Sequence, residues 1–344
     1  MTDLRQLLGV DVPLIQAPMA GAQDSALALA VSSAGALGSL PCAMLDLQGL
    51  RSELTTLQQH GRPPINVNFF CHTPPAADEE RQARWRESLS PYYRELGIET
   101  DPVHRGPARS PFNEQTLEVL REFRPAVVSF HFGLPSADLL AGLRSWNATI
   151  LSSATTVEEA VWLEARGVHA IIAQGLEAGG HRGHFLSDDL TAQLSTFALI
   201  PQIARRVGIP VIGAGGIADR AGIAAALRLG AAGVLLGTTF LLCPEARTGP
   251  VYRAALKSDA SRHTTLTNVF SGRPARGIVN RLIRERGPVS PLAPPFPLAA
   301  AAVAPLRAAA ESRGSGDFTS LWAGQNASGS REISATALVR DLIR

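Results

Sequence analysis

The sequence predicts an α/β protein built as a (β/α)8 TIM barrel, and three observations predict it. Eight short apolar runs alternate with helical or loop segments. The runs are apolar on both faces, as parallel strands covered by helices are. Polar or small residues gather where the runs end, at Pro18 and Met19, Asn68, His131, Ser152 and Ser153, Gln174, Gly215 and Gly216, and Gly237 and Thr238. A barrel collects its chemistry at those strand ends, which favours it over a doubly wound sheet.

The eight strands are expected at 13–17, 36–40, 65–70, 126–132, 148–154, 169–174, 209–214 and 233–237. Between the fifth and sixth, Thr155 with Glu158 reads as a capping box opening a helix that stops at Gly167. Asp219 caps the helix after the seventh strand, and Gly230 ends it. Pro201 predicts a helix that is kinked or in two pieces. Two regions fall outside the repeat. Residues 72–111, after the third strand, form a polar, Pro- and Arg-rich insertion with its own helix in "DEERQARWRESL". Residues 250–344 are too long for one helix, and read as a helical accessory region near the mouth of a 1–249 barrel.

A chain of 344 residues, 45% apolar and 18% charged, buries a sizeable core and is not disordered. A net charge of +2 without runs of like charge argues against nucleic acid or anionic membrane as partners. Cys42, Cys71 and Cys243 are odd in number, widely spaced and outside any zinc pattern, so a reducing cytoplasm and no metal are expected. The tract from Ala221 to Cys243 is broken by Arg228 and glycines, and reads as helix, turn and strand rather than a membrane span. Trp85, Trp146 and Trp162 read as packing anchors, and the arginines of "RQARWR" and "RRVG" as solvated helix faces.

The chemistry concentrates in three loops. "GAGGIAD" (213–219) ends the seventh strand and opens a helix, so its N–H groups can face an anion. "GTTF" (237–240) follows the eighth strand at the same height, and together the two make the usual phosphate site of this fold. One strand away, "AQGLEAGGHRG" carries Gln174, Gly179, Gly180 and His181. Glycines there would let a planar ring come close, with His181 projecting toward it. His131 is a second histidine at a strand end.

With "IQAPMAG", "NVNFFCH", "VVSFHFG", "AQGLEAGGHRG", "AAGVLLGTTFLLCPEA" and "FSGRPARGIVNR" in this order, nearly the whole chain resembles the FMN-dependent nitronate monooxygenases. The resemblance implies FMN with its phosphate on Gly215, Gly216, Gly237 and Thr238, and its ring near Ala17, Pro18, Met19, Asn68, Gln174, Gly179 and Gly180. It implies His181 as the active-site histidine, stabilising negative charge and moving a proton when a neutral nitroalkane is used. The implied reaction converts alkyl nitronates such as propionate 3-nitronate, with O2, to a carbonyl compound and nitrite. Where one branch of the family has Tyr-Pro-x-x-Tyr-x-x-x-Lys, this chain has Phe296, Ala300 and Ala304 at the phenol and ammonium positions. Leu235 stands where the family often has Gln. A more apolar substrate side, with Phe296 and His131 in it, is therefore expected, suited to longer neutral nitronates. The rivals are an NAD(P)H-dependent quinone or enoyl reductase on a related FMN barrel and a non-catalytic flavin carrier.

Overall fold

The computed structural model describes residues 3–61, 63–76, 78–99 and 109–344. Eight parallel strands form the barrel: β1 (Leu14–Gln16), β2 (Gly38–Pro41), β3 (Ile65–Phe70), β4 (Val127–His131), β5 (Thr149–Ala154), β6 (Ala170–Gln174), β8 (Val211–Ala214) and β9 (Gly233–Leu236). The order around the sheet is β1-β9-β8-β6-β5-β4-β3-β2, and a parallel bridge from Ile15 to Leu37 brings its edges together. Every strand expected from sequence is there.

Alternation along the strands sorts two environments. Leu40, Val67, Val128, Ile150, Ile171 and Val234 pack outward against the helices. Ile15, Leu37, Val127, Leu151, Ile172 and Ile212 fill the lower interior, which the helix Leu4–Leu8 closes from below. Higher up, the inward positions turn polar: Asn68 bonds Ser129, and His131 bonds Ser153. A floor of aliphatics under a polar ceiling leaves one end of the barrel for chemistry.

The helix after β5 starts one residue later than the sequence suggests. Thr156 caps it, accepting from the Glu159 N–H at 3.2 Å, while Glu158 lies exposed. Glu159, 1% exposed, reaches back to the N–H and hydroxyl of Thr155 (2.6 and 2.8 Å). Its other oxygen accepts from the Phe185 N–H (2.6 Å), which pins the far end of the glycine loop. Pro201 sits inside one unbroken helix, Thr196–Ala204, so the expected division into two pieces does not occur.

The accessory region contains strands as well as helices. β10 (Thr264–Thr267) and β11 (Ala275–Ile278) pair antiparallel, and β11 also pairs with the two-residue β7 (Gly180–His181) in the glycine loop. The insertion helix is longer than expected, Glu79–Leu96, and packs on Ala299–Ser312. Trp85, Leu89, Tyr92 and Tyr93 form a second apolar core there with Val303, Leu306 and Phe318. Arg81 is not a solvated charge: it donates to the Ala293 carbonyl (2.9 Å) and ties the insertion to the C-terminal region. Residues 100–108 of the insertion lie outside the described residues. The last helix, Ala335–Ile343, returns to the barrel and buries Leu338 and Val339 in its outer core.

Glu159 is where fold and glycine loop meet. Glu159→Ala leaves several buried donors without an acceptor and should cost roughly 3 kcal/mol. Urea unfolding would read this as a lower midpoint at unchanged m; a midpoint within error of the parent would show that water replaces the carboxylate.

Candidate active site

The glycine loop is built from its backbone outward. Gln174 ends β6 and spends both ends of its amide on the loop: Nε2 donates to the His181 carbonyl (2.9 Å) and Oε1 accepts from the Gly183 N–H (2.8 Å). Arg182, fully buried, donates to the carbonyls of Gly175 (2.7 Å) and Gln174 (2.8 Å) and to Gln193 Oε1 (2.6 Å). Gly183 is a steric requirement, because a Cβ there would lie 2.7 Å from both His131 Cε1 and Ser153 Oγ. Gly179 makes room for a different neighbour than the sequence suggests: a Cβ would meet the backbone of Ala323 and Gly324 at 2.6 Å. Gly180, at φ +73°, faces open space.

Two glycine turns follow the last two strands, and the first packs against Glu177 and Ala178 at the start of this loop. Gly215 and Gly216 adopt left-handed φ (+112° and +70°), which aims successive N–H groups outward. Those two N–H groups, and that of Thr238, have no acceptor among the described residues. Thr238 opens a short 3-10 turn, Thr238–Phe240, whose first N–H groups have no side-chain cap. Gly237 lies against Ala17 and Met19, where an added Cβ would sit 3.4 Å from Ala17 Cβ and 3.8 Å from Met19 Sδ. Ala17 and Met19, with Pro18 between them in the chain, thus lie beside the turn that carries the Thr238 N–H.

One contributor went unread in the sequence. Residues 323–330 cross over the two glycine turns: the Gly324 N–H donates to Thr238 Oγ1 (2.9 Å), Asn326 Nδ2 to the Gly216 carbonyl (3.0 Å), and Ser330 Oγ to the Thr238 carbonyl (2.9 Å). Its Gly/Asn/Ser-rich composition, "GQNASGS", was the available signal.

His181 stands at the mouth inside an aromatic box of Phe70, Phe132, Phe296 and Trp322, with ring centres 5.2–6.3 Å away. Its Nε2 meets Ser271 Oγ at 2.9 Å. Ser271 Oγ also lies 3.3 Å from the Arg273 carbonyl, and when its hydroxyl donates there its lone pairs receive the His181 Nε2–H. Nδ1 is then the nitrogen free to take a proton. Burial, with the charges of Arg109, His131 and Arg273, holds the imidazole well below the ordinary histidine range, so it is uncharged at neutral pH.

His131 plays a different part from His181. Its Nε2 donates to the His181 carbonyl (3.1 Å), and its Nδ1 accepts from Ser153 Oγ (2.6 Å). With both nitrogens engaged and burial pushing it down to about 3, it positions the backbone of His181 rather than carrying protons. Phe296 lies beside His181, and the mouth around the two also holds arginines. The Arg109 guanidinium lies 5.5 Å from the Phe296 ring centre, and that of Arg273 lies 4.3 Å from Phe132. Neither residue stood out in the sequence, because only the folded chain brings them to this mouth. A 520 Å3 cleft lined by Gln6–Gly9, Leu57, Phe123 and Thr149 opens at the closed end of the barrel, away from these groups.

The barrel, with partnerless N–H groups after its last two strands and an uncharged imidazole boxed at its mouth, is that of a flavin oxidoreductase. The nitronate monooxygenase family model matches residues 1–344. Nitronate monooxygenase of Pseudomonas aeruginosa is 44% identical, over 100% of this chain and 99% of its own. Nitroalkane oxidase of Streptomyces ansochromogenes superposes with a TM-score of 0.90 at 37% identity, covering 99% of this chain and 96% of its own. FabK of Thermotoga maritima is more distant, at 25% identity and a TM-score of 0.71, over 100% and 95% of the two chains. The chain belongs to the nitronate monooxygenase family.

The buried histidines make stability depend on pH. Burial holds His131 at about 3 and His72 and His184 at about 4, against an ordinary 6.5. As pH falls from 6.5 toward 4, the unfolded chain takes up protons that the folded one refuses, so stability drops across that window and is complete above it. His131→Gln removes one such group and should flatten the slope by about 1.4 kcal/mol per pH unit. Denaturant titrations through the window check this; an unaltered slope would mean His131 is protonated in the folded protein.

Proposed function

We propose that this chain binds FMN and uses O2 to oxidise alkyl nitronates to a carbonyl compound and nitrite. The observation that carries the cofactor reading is the set of unpaired N–H groups at Gly215, Gly216 and Thr238. Three convergent donors beside a helix N-terminus suit a terminal phosphate, and Gly180 leaves room for a planar ring. Bound there, FMN supplies the redox chemistry that the protein's side chains lack. Asn68 and Gln174 stand on the ring side of this site, and Ala17 to Met19 on its border.

The chain's own residues do the rest. The aromatic box excludes water and orients an apolar substrate body beside His181. With a neutral nitroalkane, His181 Nδ1 takes the carbon-bound proton; with a nitronate that step is already done. Ser271 fixes the tautomer that leaves Nδ1 free. In this reading the barrel of residues 1–249 carries the cofactor with residues 323–330 crossing over it, while the insertion and the rest of 250–344 wall the mouth. Three unpaired cysteines suit a cytoplasmic enzyme, and among the described residues no helix is long and apolar enough to cross a membrane.

The cofactor is tested by chromatographing the flavin released on denaturation. FMN is expected, and FAD or a colourless protein would end the proposal. Gly216→Val should yield apoprotein, because φ is +70° there and a Cβ already lies 3.2 Å from Glu177 Cβ.

The reaction is tested by anaerobic addition of propionate 3-nitronate, which should bleach the flavin; bleaching by NADH alone would favour the reductase alternative. His181→Asn should keep FMN and lose about 10²–10⁴-fold in kcat/KM with a neutral nitroalkane. The loss should be smaller with the preformed nitronate. Equal losses on both would remove the proton-transfer role.

A further inference from the structure

Three nitrogen atoms at the mouth are buried without a hydrogen-bond partner: Arg109 Nη1, Arg273 Nε and His72 Nδ1. They are one cluster, not three accidents. His72 stacks edge-on to Phe296 (ring centres 4.8 Å apart) and lies 6.3 Å from Phe132. Arg109 lies over Phe296, Arg273 over Phe132, and those two rings are 5.6 Å apart. Arg273 has part of its hydrogen bonding met by the His184 carbonyl. For Arg109, no side-chain hydrogen bond or ion pair to a described residue occurs.

An enclosed guanidinium with a partnerless Nη1 and no counter-charge among the described residues is costly, and an anion that enters beside it offsets that cost. A planar carboxylate matches the guanidinium fork with two parallel hydrogen bonds. Arg109 and His181 both pack on Phe296, within 5.5 and 5.2 Å of its ring centre. A substrate reaching from one to the other therefore carries its second charge only a few carbons from the reacting carbon. The ammonium position of the family's other branch is Ala304 here, so the C-terminal helix offers no cation at that place.

The geometry points to Arg109 as the specificity-determining residue that receives a carboxylate on the substrate, so that this enzyme takes carboxylated nitronates such as propionate 3-nitronate in preference to neutral ones of similar length. Recognition comes from the insertion, not from the C-terminal helix. It replaces the expectation of an apolar substrate side. The inference rests on the nitronate reading above for its reaction, and on the unpaired guanidinium for its chemistry.

The test compares wild type with Arg109→Met, which keeps packing on Phe296, and with Arg109→Lys, which keeps the charge. Flavin content and thermal midpoint confirm that each is folded, and Arg109→Gln replaces the methionine variant if that one is not. The ratio of kcat/KM for propionate 3-nitronate to that for the nitronate of 1-nitrobutane should fall about 10- to 100-fold in Arg109→Met, mostly through KM. Arg109→Lys should keep part of the preference. Calorimetric binding of 3-nitropropionate to the flavin-loaded protein should weaken by a similar factor. A ratio and an affinity both within about twofold of wild type would overturn the assignment. If no nitronate is oxidised by any form, the proposed reaction fails, yet the 3-nitropropionate affinities still decide the role of Arg109.

Discussion

The site depends on one buried cation. Arg182 lies inside the loop after β6, fully enclosed, and gives its guanidinium to two carbonyls and one amide oxygen. Desolvation pulls it down to about 10, still far above neutrality, with Glu159 and Glu177 as the nearest opposing charges. A glycine-rich loop has no side chains of its own to hold a shape. Arg182 supplies that shape from within by satisfying carbonyls that would otherwise be buried and unmet. Gln174 and His131 then converge on the His181 carbonyl, and β7 is flat enough to accept β11. The accessory sheet, the aromatic box and the position of the imidazole all follow from that loop staying in place.

How much of this could be read in the sequence depended on the range of the interaction. Parallel strands buried on both faces leave a continuous apolar signature, so the eight barrel strands and their polar ends were legible. β10, β11 and β7 were not, because strands of two to four residues carry little pattern, and the two-residue β7 exists only through its pairing with the distant β11. The cap at Thr156 was missed by one position since Thr155–Glu158 and Thr156–Glu159 present the same spacing. Only burial chooses between the two glutamates, and it chooses Glu159. Gly179 was legible as a close approach but not as an approach to Ala323, which lies 144 positions away in the chain.

Charged residues were the least legible. "RQARWR" and the Arg-rich insertion look like solvated surface in one dimension, yet Arg81 clasps the C-terminal region and Arg109 faces the mouth. Their composition belongs to a surface and their location does not. The helix divides them: Arg84, beside the buried Trp85, stays exposed and pairs with Glu80 (2.6 Å), while Arg81 turns toward the second core and finds the Ala293 carbonyl.

The mouth keeps its histidines neutral and its arginines charged, and that division has a consequence for substrate capture. Burial lowers the histidines, since solvation of an imidazolium is lost there, while guanidinium starts from so high a value that the same burial leaves it protonated. On the proposed reading, an arriving anion would meet fixed positive charge from Arg109 and Arg273, with no proton taken from solution first. Once seated, its negative charge raises the proton affinity of the nearby His181, because an opposite charge a few ångströms away favours the imidazolium. By linkage the reverse holds: a proton on His181 tightens the hold on the anion. A carbon acid has the opposite requirement, since it needs His181 empty before it binds. Burial keeps the free His181 uncharged, and in the proposed reaction the charge created by proton removal would be what allows Nδ1 to fill.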